Sequence, residues 1–91
     1  MERPRITLPP FYVEVEGARA LILEVSRTEP VPGDVWYHVS TQIEYKGMRS
    51  KTFTLDVRSE EDLLTKLKME VTKLKSMEYA YGTEFLRRVM T

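Results

Sequence analysis

Trp36 and His38 stand two residues apart in Val35-Trp36-Tyr37-His38-Val39-Ser40-Thr41-Gln42-Ile43-Glu44-Tyr45, a segment that alternates with the period of a β-strand. Its odd positions (Val, Tyr, Val, Thr, Ile, Tyr) belong to a core, and its even positions (Trp, His, Ser, Gln, Glu) to a wetter face. A large aromatic beside a His on the polar side of a strand marks a contact surface. Exposed rings can stack on the bases of a single-stranded nucleic acid, each stack contributing roughly 1–3 kcal/mol. Phosphates would then need cations. Lys46, Arg49 and Lys51 follow one another with no acid between them, and Arg19 lies near the first turn. Arg3 and Arg5 near the N-terminus, and Arg27 and Arg58 near strand ends, extend this basic rim.

The candidate binding residues are Tyr12, Arg19, Ile22, Trp36, His38, Lys46, Arg49, Lys51, Thr52 and Thr54. Glu14, Glu16, Glu24 and Glu44 oppose this reading, because they repel a phosphate backbone. The plainer alternative is a solvated sheet face with ordinary cross-strand charge pairs. A third possibility is a dimer interface that buries Trp36.

His38 suggests neither a metal nor a catalytic centre. The chain has one His and no Cys, which is a poor ligand set for zinc. A catalytic base needs a nucleophile or a paired acid, and Glu24 and Glu44 are neighbours without a specified geometry. No enzyme activity, metal or cofactor is expected.

The elements that position these residues follow from periodicity. Residues 3–10 contain Pro4, Pro9 and Pro10 and read as an extended arm, leaving 11–91 as one domain. Phe11 to Glu16 is a strand with Phe11, Val13 and Val15 inward. Ala20 to Thr28 is a second, with Leu21, Leu23 and Val25 inward. Pro30 to Asp34 is a loop, and the third strand starts at Val35. Arg49 to Val57 is the fourth strand, with Phe53, Leu55 and Val57 inward. If odd residues line the core throughout, opposed residues sum to even numbers. That favours a three-residue loop pairing Tyr45 with Arg49, and a three-residue loop at Gly17-Ala18-Arg19.

Ser59-Glu60-Glu61-Asp62 resembles a capping box and opens a helix. Leu63, Leu64, Leu67, Val71, Leu74 and Met77 form one apolar stripe. Gly82 stops the helix, and Thr83 starts a short one that returns Phe85, Leu86, Val89 and Met90 to the core. Thr65, Met69 and Thr72 form an uncharged strip on the helix back, a candidate homodimer interface. The expected fold is α+β: a four-stranded antiparallel sheet (β-β-β-β-α) with one long helix on one face and a short C-terminal helix. The other sheet face is left open.

Composition bounds the rest. Ninety-one residues suit one small core. The absence of Cys excludes disulfides and thiolate chemistry. No apolar run reaches the roughly 20 residues of a membrane span, and no signal-peptide core follows the charged N-terminus. A cytoplasmic protein without membrane association is expected. The chain has no Asn and one Gln, with 31% charged residues, a thermophile tendency. The formal net charge is zero, so bulk charge cannot hold a nucleic acid to this chain.

In element order the chain resembles the archaeal ThermoDBP-like single-stranded-DNA-binding proteins and their short relatives, over roughly residues 11–77. The resemblance rests on Phe11-Tyr12-Val13-Glu14-Val15, Val35-Trp36-Tyr37-His38-Val39 and Phe53-Thr54-Leu55-Asp56-Val57 followed by the Ser59 helix. It implies single-stranded DNA as partner, possibly RNA, with bases in apolar clefts on the sheet and basic side chains around them. The alternative is a protein-interaction or assembly domain, a dimeric accessory factor without nucleic-acid binding.

Overall fold

Two long antiparallel strands set the dimensions of the molecule. In the computed structural model, which describes residues 5–6 (backbone pairing alone) and 10–90, β3 spans Ala18–Val31 and β4 spans Asp34–Tyr45. Shorter strands flank this hairpin. β1 (Arg5–Ile6) and β2 (Phe11–Val15) both lie along the outer edge of β3. β5 (Met48–Arg49) and β6 (Phe53–Val57) both lie along β4. The sheet is therefore antiparallel and four strands wide, with each edge position shared by two short segments. Two helices follow, α1 (Glu60–Tyr81) and α2 (Thr83–Met90). The α+β class expected from periodicity is what the chain adopts. Of the expected N-terminal arm, Arg5–Ile6 is a strand opposite Val25 and Ser26; positions 1–4 and 7–9 lie outside the described residues.

Both expected three-residue loops are two-residue turns. Val15 pairs with Ala18 around Glu16-Gly17, and Tyr45 pairs with Met48 around Lys46-Gly47. Each turn has positive φ at both central residues: 50° and 84° in the first, 51° and 78° in the second. That geometry matches the right-handed twist of flanking strands, and the glycine takes its half without steric cost. The expected loop at 30–34 also tightens, since β3 runs to Val31 and Val31 pairs with Asp34.

Parity survives these turns because bulges restore it. The β3–β4 register shifts between Ile22 and Glu24. Before the shift Ala18, Ala20 and Ile22 face the core; after it Val25 faces the core opposite Val39. Ile22 is thus 1% exposed, and Leu21, expected inside on the helix side, is buried but on the other face, opposite Tyr12 and Gln42. On the far side of β4, Ile43 pairs with Ser50 by backbone hydrogen bond, whereas Thr41 pairs with Phe53. The expected fourth strand is broken over 50–52 by that extra residue. Ser50 Oγ accepts from the Ile43 N–H at 2.8 Å, so a side chain stands in at the break.

The helix layer covers the odd face of β4. Ser59 caps α1, its Oγ accepting from the Asp62 N–H at 3.0 Å, while the Asp62 carboxylate accepts from the Arg58 N–H. Leu67 and Val71 are buried, with Leu63, Leu74 and Met77 packed beside them. Leu64 is exposed instead, at the margin of the stripe. Gly82 ends α1, its N–H donating to the Glu78 carbonyl. From α2, Leu86 and Met90 enter the core, whereas Phe85 and Val89 stay exposed. Phe11, expected inside, is also exposed. The sheet outruns its cover. The fourteen residues of β3 extend about 44 Å at 3.4 Å per step, against about 32 Å for the 22 residues of α1.

Candidate nucleic-acid interface

The even residues of β4 form the spine of the open face: Trp36, His38, Ser40, Gln42 and Glu44. Their β3 partners are Thr28, Ser26, Glu24, Leu21 and Arg19. On the other side, β6 places Asp56 opposite His38 and Thr54 opposite Ser40, and β5 places Arg49 opposite Glu44. The assignment of Trp36 away from the core side of its strand therefore holds. Ile22 does not belong here, because the bulge after it turns that part of β3 over.

One end of the face is organised by Glu44. Its carboxylate accepts from Arg49 Nε at 2.9 Å and again from Arg49 Nη2. It also accepts from Arg19 Nη2 at 2.9 Å and from the Tyr12 hydroxyl at 3.3 Å. The Arg49 hydrogen bonds are the main reason that the Glu44 carboxyl is held below its ordinary value, and Glu44 in turn raises Arg49. The Arg19 guanidinium lies 4.3 Å over the Tyr12 ring.

A second stacked pair sits at the opposite end. The Arg58 guanidinium lies 4.3 Å over the Trp36 ring and pairs with Asp34 Oδ1 at 3.1 Å. Trp36 Nε1 donates to Asp34 Oδ2 at 3.4 Å. Eight residues of β4 separate Trp36 from Glu44, about 27 Å of strand. The aromatic groups of the face are thus two, at its ends, each with one ring surface covered by a guanidinium. Between them His38 is held on both sides. Its Nδ1 is 2.6 Å from Asp56 Oδ1, and its Nε2 is 2.8 Å from Thr28 Oγ1.

The compact basic cluster of the sequence divides between layers. Arg49 joins the open face, but Lys46 reaches Glu78 of α1 at 3.0 Å. There the Lys46 ammonium, and after it the Tyr45 hydroxyl at 2.8 Å, hold the Glu78 carboxyl below its usual range. Lys51 lines an apolar groove of about 220 Å³ with Phe53, Leu74, Met77 and Val89. Thr52 is exposed in the break between β5 and β6, and Thr54 is exposed on β6. The structure therefore gathers Tyr12, Arg19 and Arg49 at one end, Trp36 and His38 toward the other, and leaves Lys46 and Lys51 off the face.

Two residues of the face, Asp56 and Thr28, escaped the site reading, and Arg58 was read as part of the basic rim without its stacking on Trp36. The period-2 pattern of Thr54 and Asp56, carried one step further, reaches Arg58. Even-sum pairing across β4 and β6 puts Asp56 opposite His38, so the acid beside the imidazole was implicit in the register. Thr28 continues the even positions Glu24 and Ser26 onto the open face, and only its partner on β4 was missing from the sequence reading. On the helix back, Thr65, Met69 and Thr72 are exposed as expected, Met69 to 55%. The Thr65 hydroxyl donates to the Glu61 carbonyl of its own helix.

Among the described residues no cluster of His, Cys, Asp and Glu could hold a metal ion, and no helix is long and apolar enough to cross a membrane. No family model, curated protein or solved structure matches this chain.

Proposed function

We propose that the open sheet face binds single-stranded nucleic acid, DNA by the resemblance in element order, with little regard to sequence. The observation that supports this most is Arg58 on Trp36. The guanidinium covers the indole at 4.3 Å while the Arg58 side chain is 59% exposed. Bases stack on guanidinium planes as well as on rings, so the outer surface of Arg58 continues the Trp36 platform. Arg19 on Tyr12 repeats the arrangement at the other end, with 48% of the Arg19 side chain exposed. Ser40, Gln42 and Thr54 offer hydrogen-bonding groups between them. Binding on this face rests on stacking, because its cations already have carboxylate partners.

A titration with labelled oligo-dT, single- against double-stranded, while following Trp36 fluorescence, tests the reading. Saturable binding of the single strand with a change in Trp36 emission is expected. Oligonucleotides that change neither emission nor mobility at low salt would remove it.

A second reading, a protein-interaction or assembly domain, is favoured by a different surface. Tyr81 and Phe85 are in ring contact at 4.8 Å, and with Val89 they leave apolar surface exposed beside the groove lined by Leu74 and Met77. Exposed apolar patches of this kind mark contact sites in monomeric proteins. Concentration-dependent self-association without oligonucleotide binding would favour this reading over the first.

A further inference from the structure

We infer that Thr28, His38 and Asp56 form a nucleophilic relay through which Thr28 attacks small activated carboxylic esters. The three residues come from three adjacent strands, β3, β4 and β6. His38 and Asp56 are direct cross-strand partners, and Thr28 lies one pair further along, opposite Trp36. The imidazole is spanned end to end: Nδ1 lies 2.6 Å from Asp56 Oδ1, and Nε2 lies 2.8 Å from Thr28 Oγ1. An ionised carboxylate can only accept, so the Asp56 bond places a hydrogen on Nδ1, and in the neutral imidazole the lone pair is then on Nε2. The Thr28 hydroxyl then donates to Nε2. A hydroxyl bonded to a base that is itself oriented by an acid is the arrangement of an activated nucleophile.

The surroundings bear on what the relay can do. It lies on the open face, where a substrate can reach it, with His38 partly exposed and Asp56 60% exposed. Arg58, stacked on the cross-strand partner of Thr28, has its charge paired with Asp34 at 3.1 Å. Thr28, His38 and Asp56 line none of the grooves beside Leu74, Leu63 or Met69, and Asp56 stands exposed on the open face. The substrate class is therefore small esters with good leaving groups, which need little binding energy or leaving-group protonation.

The chemistry closes without a further reagent. Thr28 Oγ forms a bond to the acyl carbon while its proton passes to His38 Nε2. The tetrahedral adduct collapses, the ester C–O bond breaks, the leaving group departs as its anion, and His38 gives its proton to solvent. Water then attacks the acyl-threonine carbon and gives a proton to Nε2. The acyl C–O bond to Thr28 breaks, Oγ recovers that proton, and a carboxylic acid is released. General-base assistance of this kind contributes about 10²–10⁴-fold. In this scheme Asp56 is a positioning residue that selects the tautomer. The inference is independent of nucleic-acid binding.

The test treats the full chain with p-nitrophenyl acetate, following p-nitrophenolate release and locating the acetyl group by mass spectrometry. A burst approaching one equivalent per chain is expected, with the acetyl group on Thr28. Thr28→Val should abolish the burst, and His38→Gln should slow it by roughly tenfold or more. Asp56→Asn should slow it without changing the acylated residue, an outcome that a purely structural role would not produce. Acetyl found on lysines but not on Thr28 in the unaltered protein would overturn the inference, whether or not any variant folds. So would release by a folded Thr28→Val variant at the original rate.

Discussion

Replacing Arg58 by lysine keeps the charge and removes the plane, and so isolates what the Trp36 platform contributes. In the structure the guanidinium carbon lies 4.3 Å over the centroid of the Trp36 ring, and the Arg58 side chain is 59% exposed. One stacked base is worth about 1–3 kcal/mol, equivalent to about 5- to 150-fold in dissociation constant. Arg58→Lys should weaken oligo-dT binding within that range. The fold should lose about 1 kcal/mol or less, the scale of an exposed cation–π contact. Arg49→Gln should behave differently, because Arg49 serves Glu44 and that carboxylate keeps Arg19 and Tyr12. The same pairing limits counterion release. A cation that exchanges its own carboxylate for a phosphate leaves that carboxylate beside the bound strand. Each net phosphate contact adds about 0.7 to the slope of log affinity against log salt for a single strand, so a slope shallower than about −1.5 is expected. Fluorescence anisotropy over a salt series measures both quantities. Unchanged affinity in Arg58→Lys would refute the platform, and a slope near −3 or steeper would refute the neutralisation argument.

Other perturbations test the framework. Leu67→Ala should cost about 2–5 kcal/mol in urea unfolding, since Leu67 is fully buried in the core. Ser50→Ala leaves the Ile43 N–H without its side-chain acceptor at the strand break and should cost about 1–3 kcal/mol by the same measurement. Glu78 has its folded pKa below the ordinary 4.5 through Lys46 and Tyr45; its stabilising contribution is present above that value and lost as pH falls through the folded one. Glu78→Gln should therefore lower the melting temperature at neutral pH and narrow the gap to the unaltered protein in acid. If the Thr65–Met69–Thr72 strip joins two copies, Met69→Lys should shift sedimentation toward monomer, and a monomeric unaltered protein at all concentrations would discard that interface.

The parts of the fold that could be read from sequence are those governed by local rules. The alternation of Val35–Tyr45 placed Trp36 and His38 on the open face, and Ser59 announced α1 through a cap that needs only its own next three residues. Ile22 and Leu21 exchanged faces because the β3 bulge is defined by partners on β4, and no single-strand pattern reports it. Lys46, Arg49 and Lys51 read as one patch, yet a two-residue turn and a strand break send them to different layers. The stacked pairs were hidden for the same reason, Arg58 being 22 residues from Trp36. One compositional feature did carry structural information. A net charge of zero is realised here as local pairing: Arg19 and Arg49 with Glu44, Lys46 with Glu78, Arg58 with Asp34. Such pairing consumes the charge of a guanidinium but not its outer plane. A chain neutralised in this way can still present stacking surfaces, so its affinity for a nucleic acid should survive salt that would strip an unpaired basic patch.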